Sequence, residues 1–141
     1  MLLVSVDGLR SDALVAGGPE GLPHFHRVMA WGGTLNARTD PDATLTLPNH
    51  VGMLTGLFQD GPGGHAWAEN LDPLPGVTLH DRAGRYVPGV FDVAHDHGLR
   101  TALFAGKTKF SLFDVSWNEV HGAPDETAPD HGRDKIDEIQ L

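Results

Sequence analysis

Residues 87–106 read VPGVFDVAHDHGLRTALFAG, and their pattern sets the fold class. The first half clusters valine, phenylalanine and alanine on one face of a helix, and Gly98 is a typical helix stop. The apolar run LRTALFAG follows at once and ends at a second glycine. A helix, a glycine, a short strand and another glycine form the order of an α/β unit. We therefore expect an α/β fold, with a mostly parallel sheet flanked by helices.

The chain opens with a further strand candidate, residues 2–6 (LLVSV), which Asp7 and Gly8 end. Its nearly continuous apolar character is typical of a parallel strand that is covered on both faces. Because parallel sheets bind ligands at the carboxyl ends of their strands, Asp7 is expected at the binding edge, where a carboxylate can hold a cation. The alternative is that Asp7 only shapes the turn.

Other segments are assigned from their periodicity and from glycine and proline. The assigned elements are helices at 22–33 and 47–56, a brief strand at 77–79 and the first turns of a helix at 133–141. The last assignment rests on Ile136 and Ile139, whose spacing of three residues fits one helix face.

Composition restricts the function classes. The 141 residues carry a formal net charge of -9, from 19 acidic and 10 basic side chains. Such a chain is not expected to bind a nucleic-acid duplex or an anionic membrane, although a metal would still allow a phosphate-bearing substrate. There is no cysteine, which excludes thiolate chemistry. No apolar run is long enough to span a bilayer, and no signal peptide is visible, so the compartment stays open, with the cytoplasm as the default.

The stretch TLTLPNH, residues 44–50, places the hydroxyl of Thr46 directly before Leu47 and Pro48. Thr46 is predicted as the N-cap of the helix at 47–56, with proline in the first turn. The same position suits chemistry, because a helix N-terminus attracts phosphate and a metal can activate a threonine hydroxyl as a nucleophile. A purely structural cap is the alternative. Asn70 is either a turn residue or an amide donor to a phosphoryl oxygen.

The segments LLVSVDGLRSDAL, TLTLPNHVGMLTG and HAWAEN together resemble the nucleotide pyrophosphatase/phosphodiesterase family, the type I phosphodiesterases of the alkaline phosphatase superfamily. The later GLRTALFAGKTKF is similar to a helix–strand–lysine segment of these proteins. The resemblance implies an alkaline-phosphatase-like fold. In that fold, residues 1–141 are expected to be the N-terminal portion of a single catalytic domain, and the sheet is expected to be incomplete.

The resemblance also implies a function. The family hydrolyses phosphodiester or phosphoanhydride bonds with two zinc ions and a covalent phospho-threonine. Carried over, Asp7 matches a metal-binding aspartate, Thr46 the nucleophile that touches the same metal, and Asn70 an asparagine that holds phosphoryl oxygens. A small phosphate ester such as a nucleotide is then the expected substrate, and the remaining zinc ligands are expected outside this chain.

Alternatives stay open beside this interpretation. The chain is short for a catalytic domain of this kind, so it is expected to be inactive alone, either as part of an enzyme or as a non-catalytic remnant. Phosphomonoester and phosphonate hydrolysis also stay open within the superfamily. A sulfatase is disfavoured, because sulfatases need cysteine or serine where this chain has Thr46.

Overall fold

The computed structural model describes residues 1–37, 40 and 44–141, and the chain forms two compact units, Met1–Arg38 and Thr39–Leu141. The first unit contains two helices, α1 (Ser11–Gly21) and α2 (Pro23–Ala30), which pack against each other. Proline begins α2, where its missing N–H costs no hydrogen bond. Helix α2 confirms the helix predicted at 22–33.

The strand predicted at residues 2–6 does not form. Leu2, Leu3 and Val4 are 86%, 60% and 70% exposed, and among the described residues no strand ladder includes this stretch. A parallel strand is stable only when a neighbour takes its N–H and C=O groups and other layers cover its faces. The prediction of a buried strand at 2–6 is therefore wrong for the described structure.

The second unit contains the remaining described elements. In chain order they are α3 (Thr46–Thr55), α4 (Leu79–Ala83), α5 (Val90–Asp96), β1 (Ala102–Phe104), a 3₁₀ turn (Thr108–Phe110), α6 (Ser111–Ser116) and β2 (Glu138–Gln140). Helices α3 and α5 confirm two predicted helices. Each is followed by a left-handed glycine, Gly56 with φ of 72° and Gly98 with φ of 67°. The apolar core of this unit includes Leu47, Val51, Trp67, Leu79, Val87, Phe113, Trp117 and Ile136.

Strands β1 and β2 form a two-stranded parallel sheet. Leu103 lies opposite Ile139, and the flanking pairs keep the same register. Strand β1 confirms the strand predicted after Gly98, whereas β2 shows that the helix predicted at 133–141 is wrong. Around Ile139 the burial alternates with period two, and β1 supplies a partner for the backbone. A parallel strand pair in a chain that also forms helices is compatible with the predicted α/β class. A sheet of this size does not identify an alkaline-phosphatase-like fold, and the single catalytic domain stays a prediction.

The strand predicted at 77–79 is also wrong, because Thr78 caps helix α4 and Leu79 is its first residue. Thr78 is the N-cap, and its Oγ1 accepts a hydrogen bond from Asp81 N at 3.1 Å. In return, Thr78 N donates to the carboxylate of Asp81 at 2.8 Å. This reciprocal capping box supplies partners for two N–H groups that a helix start otherwise leaves unpaired.

Candidate active site at the start of helix α3

The first residue of α3 is Thr46, and Leu45 in extended conformation is the N-cap. The predicted cap position of Thr46 is therefore off by one residue, and its half-buried side chain lies in the first helical turn. Leu47 and Val51 are fully buried, and their packing fixes which face of the helix points inward. Pro48 fits in the first turn because an N–H there has no partner within the helix.

Two polar side chains of the PNH sequence hold this helix start. Asn49 Nδ2 donates to Leu45 O at 3.0 Å, and its Oδ1 accepts from Asp40 N at 3.1 Å. His50 Nδ1 is 2.7 Å from Thr46 O, a contact in which the imidazole must be the donor. The residues after Thr46 therefore restrain the backbone that carries its hydroxyl.

Asn70 contacts the start of α3 directly, although it is 23 positions further along the chain. Its Oδ1 accepts a hydrogen bond from Leu47 N at 2.9 Å and another from Lys109 Nζ at 3.0 Å. The first N–H groups of a helix have no acceptor within the helix, and here a distant asparagine supplies one. Because Oδ1 accepts both bonds, the Nδ2 group is the part of the amide that can donate to another ligand.

The lysine of this contact, Lys109, is a residue that the sequence reasoning missed. It lies in the 3₁₀ turn after β1, and it also donates to the backbone oxygen of Asn70 at 3.0 Å. Next to it, Thr108 Oγ1 donates to Asp72 Oδ2 at 2.9 Å, so two bonded residues of this turn hold the segment 70–72. The available signal was the position of KTK just after a parallel strand, at the edge where α/β sheets bind ligands.

His65 lies beneath the same helix and is fully buried. Its Nδ1 accepts a hydrogen bond from Trp67 N at 3.1 Å, which leaves the proton on Nε2. Burial lowers the pKa of His65, and the charges of Asp40 and Asp60 and the Pro48 backbone only partly oppose this effect. Among the described residues, none offers Nε2 a hydrogen bond of good geometry. A neutral imidazole therefore packs under α3.

Asp7 belongs to the first unit and Thr46 to the second, so their predicted convergence on one cation stays a prediction. Gly8 has φ of 77°, as expected for the turn that follows Asp7. Within the described ranges, no group of three or more histidine or acidic side chains is arranged to hold a metal. Protein-bound zinc takes three or four protein ligands, so Asp7 and Thr46 alone are an incomplete donor set.

The described part of the chain contains no helix long and apolar enough to cross a membrane.

Residues 1–65, which include Asp7 and Thr46, match the family model described as "Type I phosphodiesterase / nucleotide pyrophosphatase". The predicted resemblance is thereby confirmed for the N-terminal part of the chain. Over 63 residues the chain is 41% identical to human "Ectonucleotide pyrophosphatase/phosphodiesterase family member 5". The alignment covers 45% of this chain and 13% of that protein, so the chain spans only a small part of the relative. No solved structure matches the chain. Asn70 and Lys109 lie outside the matched residues.

Proposed function

We propose that the chain is part of a phosphodiesterase/nucleotide pyrophosphatase-type hydrolase in which Thr46 is the nucleophile. The observation that carries the proposal is the family match over residues 1–65, which contains Thr46 at the first residue of α3. A helix start is a favourable place for the reaction, because its positive dipole end attracts a phosphate group. A small phosphate ester such as a nucleotide is the proposed substrate.

The proposed reaction consists of two displacements at phosphorus. The oxygen of Thr46 bonds to phosphorus while the bond to the leaving oxygen breaks, and the hydroxyl proton ends on the leaving group. This step gives a phospho-threonine and frees one product. Water then attacks phosphorus, the bond to Thr46 breaks, and the hydroxyl is restored with release of the second product.

Asn70 is the proposed donor to the phosphoryl oxygens. Its Oδ1 is held by Leu47 N and Lys109 Nζ, so Nδ2 can donate to an anion bound near the start of α3. A donor of this kind stabilises the charge that develops in the transition state, and the removal of one typically lowers kcat about 10²–10³-fold. The contact between Asn70 and the helix that carries Thr46 supports this role.

We further propose that the full-length protein uses two zinc ions. Asp7 and Thr46 would each give one oxygen to the first ion, and the other ligands would come from outside this chain. A bound zinc lowers the pKa of an oxygen ligand and so favours its nucleophilic form. On this proposal the chain alone is inactive, and zinc content is measurable only in the full-length protein.

The test uses the full-length protein and the chromogenic diester bis(p-nitrophenyl) phosphate. Thr46→Ala is expected to abolish turnover while zinc content stays mostly intact, because the other ligands remain. Thr46→Ser, which keeps a hydroxyl, is expected to retain part of the activity. After a rapid acid quench, mass spectrometry should find a p-nitrophenyl phosphoryl group on the peptide that contains Thr46, because only one of the two p-nitrophenol groups leaves in the first step. Full activity of Thr46→Ala would remove the nucleophile assignment. Faster hydrolysis of p-nitrophenyl phosphate or of a phosphonate would favour the alternative activities.

A further inference from the structure

We propose that Lys109 is a positioning residue for this reaction: it holds the carboxamide of Asn70 so that Nδ2 faces the phosphoryl group. This inference rests on the proposed function and adds a residue to the site. Lys109 lies 39 positions after Asn70 and outside the residues that match the family. Both residues lie in the second unit.

Lys109 forms hydrogen bonds with two atoms of Asn70. Its ammonium donates to the backbone oxygen and to the side-chain Oδ1 of the same residue, each at 3.0 Å. Two bonds from one group link the backbone and the side chain of Asn70, and they favour a single side-chain rotamer. If the amide flipped, Nδ2 would face two donors, Leu47 N–H and the ammonium, and both hydrogen bonds would be lost.

Lys109 is itself held by its neighbours in the 3₁₀ turn. Phe110 is only 8% exposed and contacts the ring of His50 edge to face, with ring centres 4.9 Å apart. His50 in turn bonds to the backbone of Thr46, so the turn packs against the helix that carries the proposed nucleophile. A functional group is most effective when packed and hydrogen-bonded neighbours hold it in one orientation. The 3₁₀ turn holds Asn70 in this way.

A second cation that contacts the segment around Asn70, Arg82 of helix α4, provides a matched control. Arg82 forms an ion pair with Glu69, the residue before Asn70, at 2.7 Å. Both side chains are about two-fifths exposed, at 41% and 43%, and exposed pairs contribute little. Loss of Arg82 therefore removes a positive charge near the loop, whereas loss of Lys109 removes the bonds that orient Asn70.

The experiment compares full-length variants in steady-state hydrolysis of bis(p-nitrophenyl) phosphate. Lys109→Met is expected to lower kcat roughly 10²-fold with a smaller effect on KM. A misplaced hydrogen-bond donor stabilises the transition state less well, whereas its effect on binding of the ground state is smaller. Lys109→Arg keeps N–H donors at this position and is expected to recover part of kcat. Arg82→Met is expected to stay within about twofold of the unmodified enzyme.

A double-variant cycle separates positioning from a general effect on folding. In an Asn70→Ala background, Lys109→Met is expected to cause little further loss of kcat, because the group that it orients is absent. An unchanged kcat in Lys109→Met would overturn the inference. So would an equal loss in Arg82→Met, a full additional loss in the Asn70→Ala background, or no recovery in Lys109→Arg. Activity in Thr46→Ala is a separate outcome that counts against the proposed function itself.

Discussion

Lys135 is buried beside a carboxylate, and its replacement by methionine tests what this pair contributes to the second unit. The side chains of Lys135 and Asp125 are 1% and 0% exposed. Lys135 Nζ donates to Asp125 Oδ1 at 2.5 Å and to Gly132 O at 2.6 Å. The same carboxylate is 3.0 Å from His95 Nδ1 and accepts from His131 N at 2.7 Å. The cluster joins α5 to the chain segment before β2.

Lys135→Met keeps an unbranched apolar side chain but removes the charge and its hydrogen bonds. Loss of one partner from a buried ion pair costs about 3–5 kcal/mol, because the other charge stays buried. Because His95 and His131 N still contact Asp125, the cost should lie at the low end of this range. We therefore expect a loss of about 3 kcal/mol in the free energy of unfolding. For a domain of about 100 residues, that loss lowers Tm by on the order of 10–20 °C.

The effect should depend on pH in a defined direction. Burial acts to raise the pKa of Asp125, but hydrogen bonds from Lys135, His95 and His131 N outweigh it and hold the pKa well below the ordinary 3.8. Because the folded pKa is depressed, the carboxylate stabilises the fold fully above pH about 4 and loses this contribution as pH falls toward its folded pKa. Lys135→Met moves the folded pKa upward, so the difference from the unmodified chain should shrink in acid.

The assay is urea unfolding of the chain, followed by tryptophan fluorescence, since Trp67 and Trp117 are 1% and 0% exposed. The matched control is Arg100→Met. Arg100 lies 3.7 Å from Asp137 and is 84% exposed, so its loss should cost less than about 1 kcal/mol.

Asp125→Asn combined with Lys135→Met should be more stable than Lys135→Met alone, because no unpaired charge remains buried. Equal stability of Lys135→Met and Arg100→Met would refute the reasoning, as would a double variant no more stable than Lys135→Met.

Two further predictions concern single contacts. Asn70→Asp keeps oxygens that can accept from Leu47 N and Lys109 but removes the amide donor. In the full-length enzyme we therefore expect kcat to fall about 10²-fold while Tm changes little. A large loss of Tm with unchanged kcat would contradict this prediction. Thr78→Ala removes the oxygen that caps α4 and should lower the free energy of unfolding by about 1 kcal/mol, with a smaller effect for Thr78→Ser. Urea unfolding measures both Thr78 variants, and equal losses would show that the hydroxyl does not act as the cap.

The helices were the most predictable part of the fold, because their signals are local. In α5 the apolar spacing and Gly98 lie within one short segment, and in α3 the proline and Gly56 mark the first turn and the end. The capping box of Thr78 and Asp81 was also a local signal, but three apolar or β-branched residues at 77–79 favoured a strand instead.

The strands were harder to predict because a strand forms only beside a partner strand, and the strand's own sequence does not identify that partner. Residues 2–6 have the composition of a buried strand, yet they belong to no strand ladder of the described structure. In contrast, Glu138–Gln140 is short and ambiguous, and it becomes a strand because Ala102–Phe104 offers a parallel edge. The spacing of Ile136 and Ile139 fits a helix face equally well, so periodicity could not decide.

The candidate site combines one part that sequence could predict and one that it could not. Thr46 and Asn70 stand in motifs that can be read locally. The hydrogen bond between Leu47 N and Asn70, and the role of Lys109, instead depend on positions 23 and 39 residues apart. The hydrogen bond between Leu47 and Asn70 crosses the end of the family match, since Leu47 lies within the match and Asn70 does not. The unmatched part of the second unit therefore supports the helix that carries Thr46, and changes at Asn70 or Lys109 should alter the chemistry proposed for the matched part.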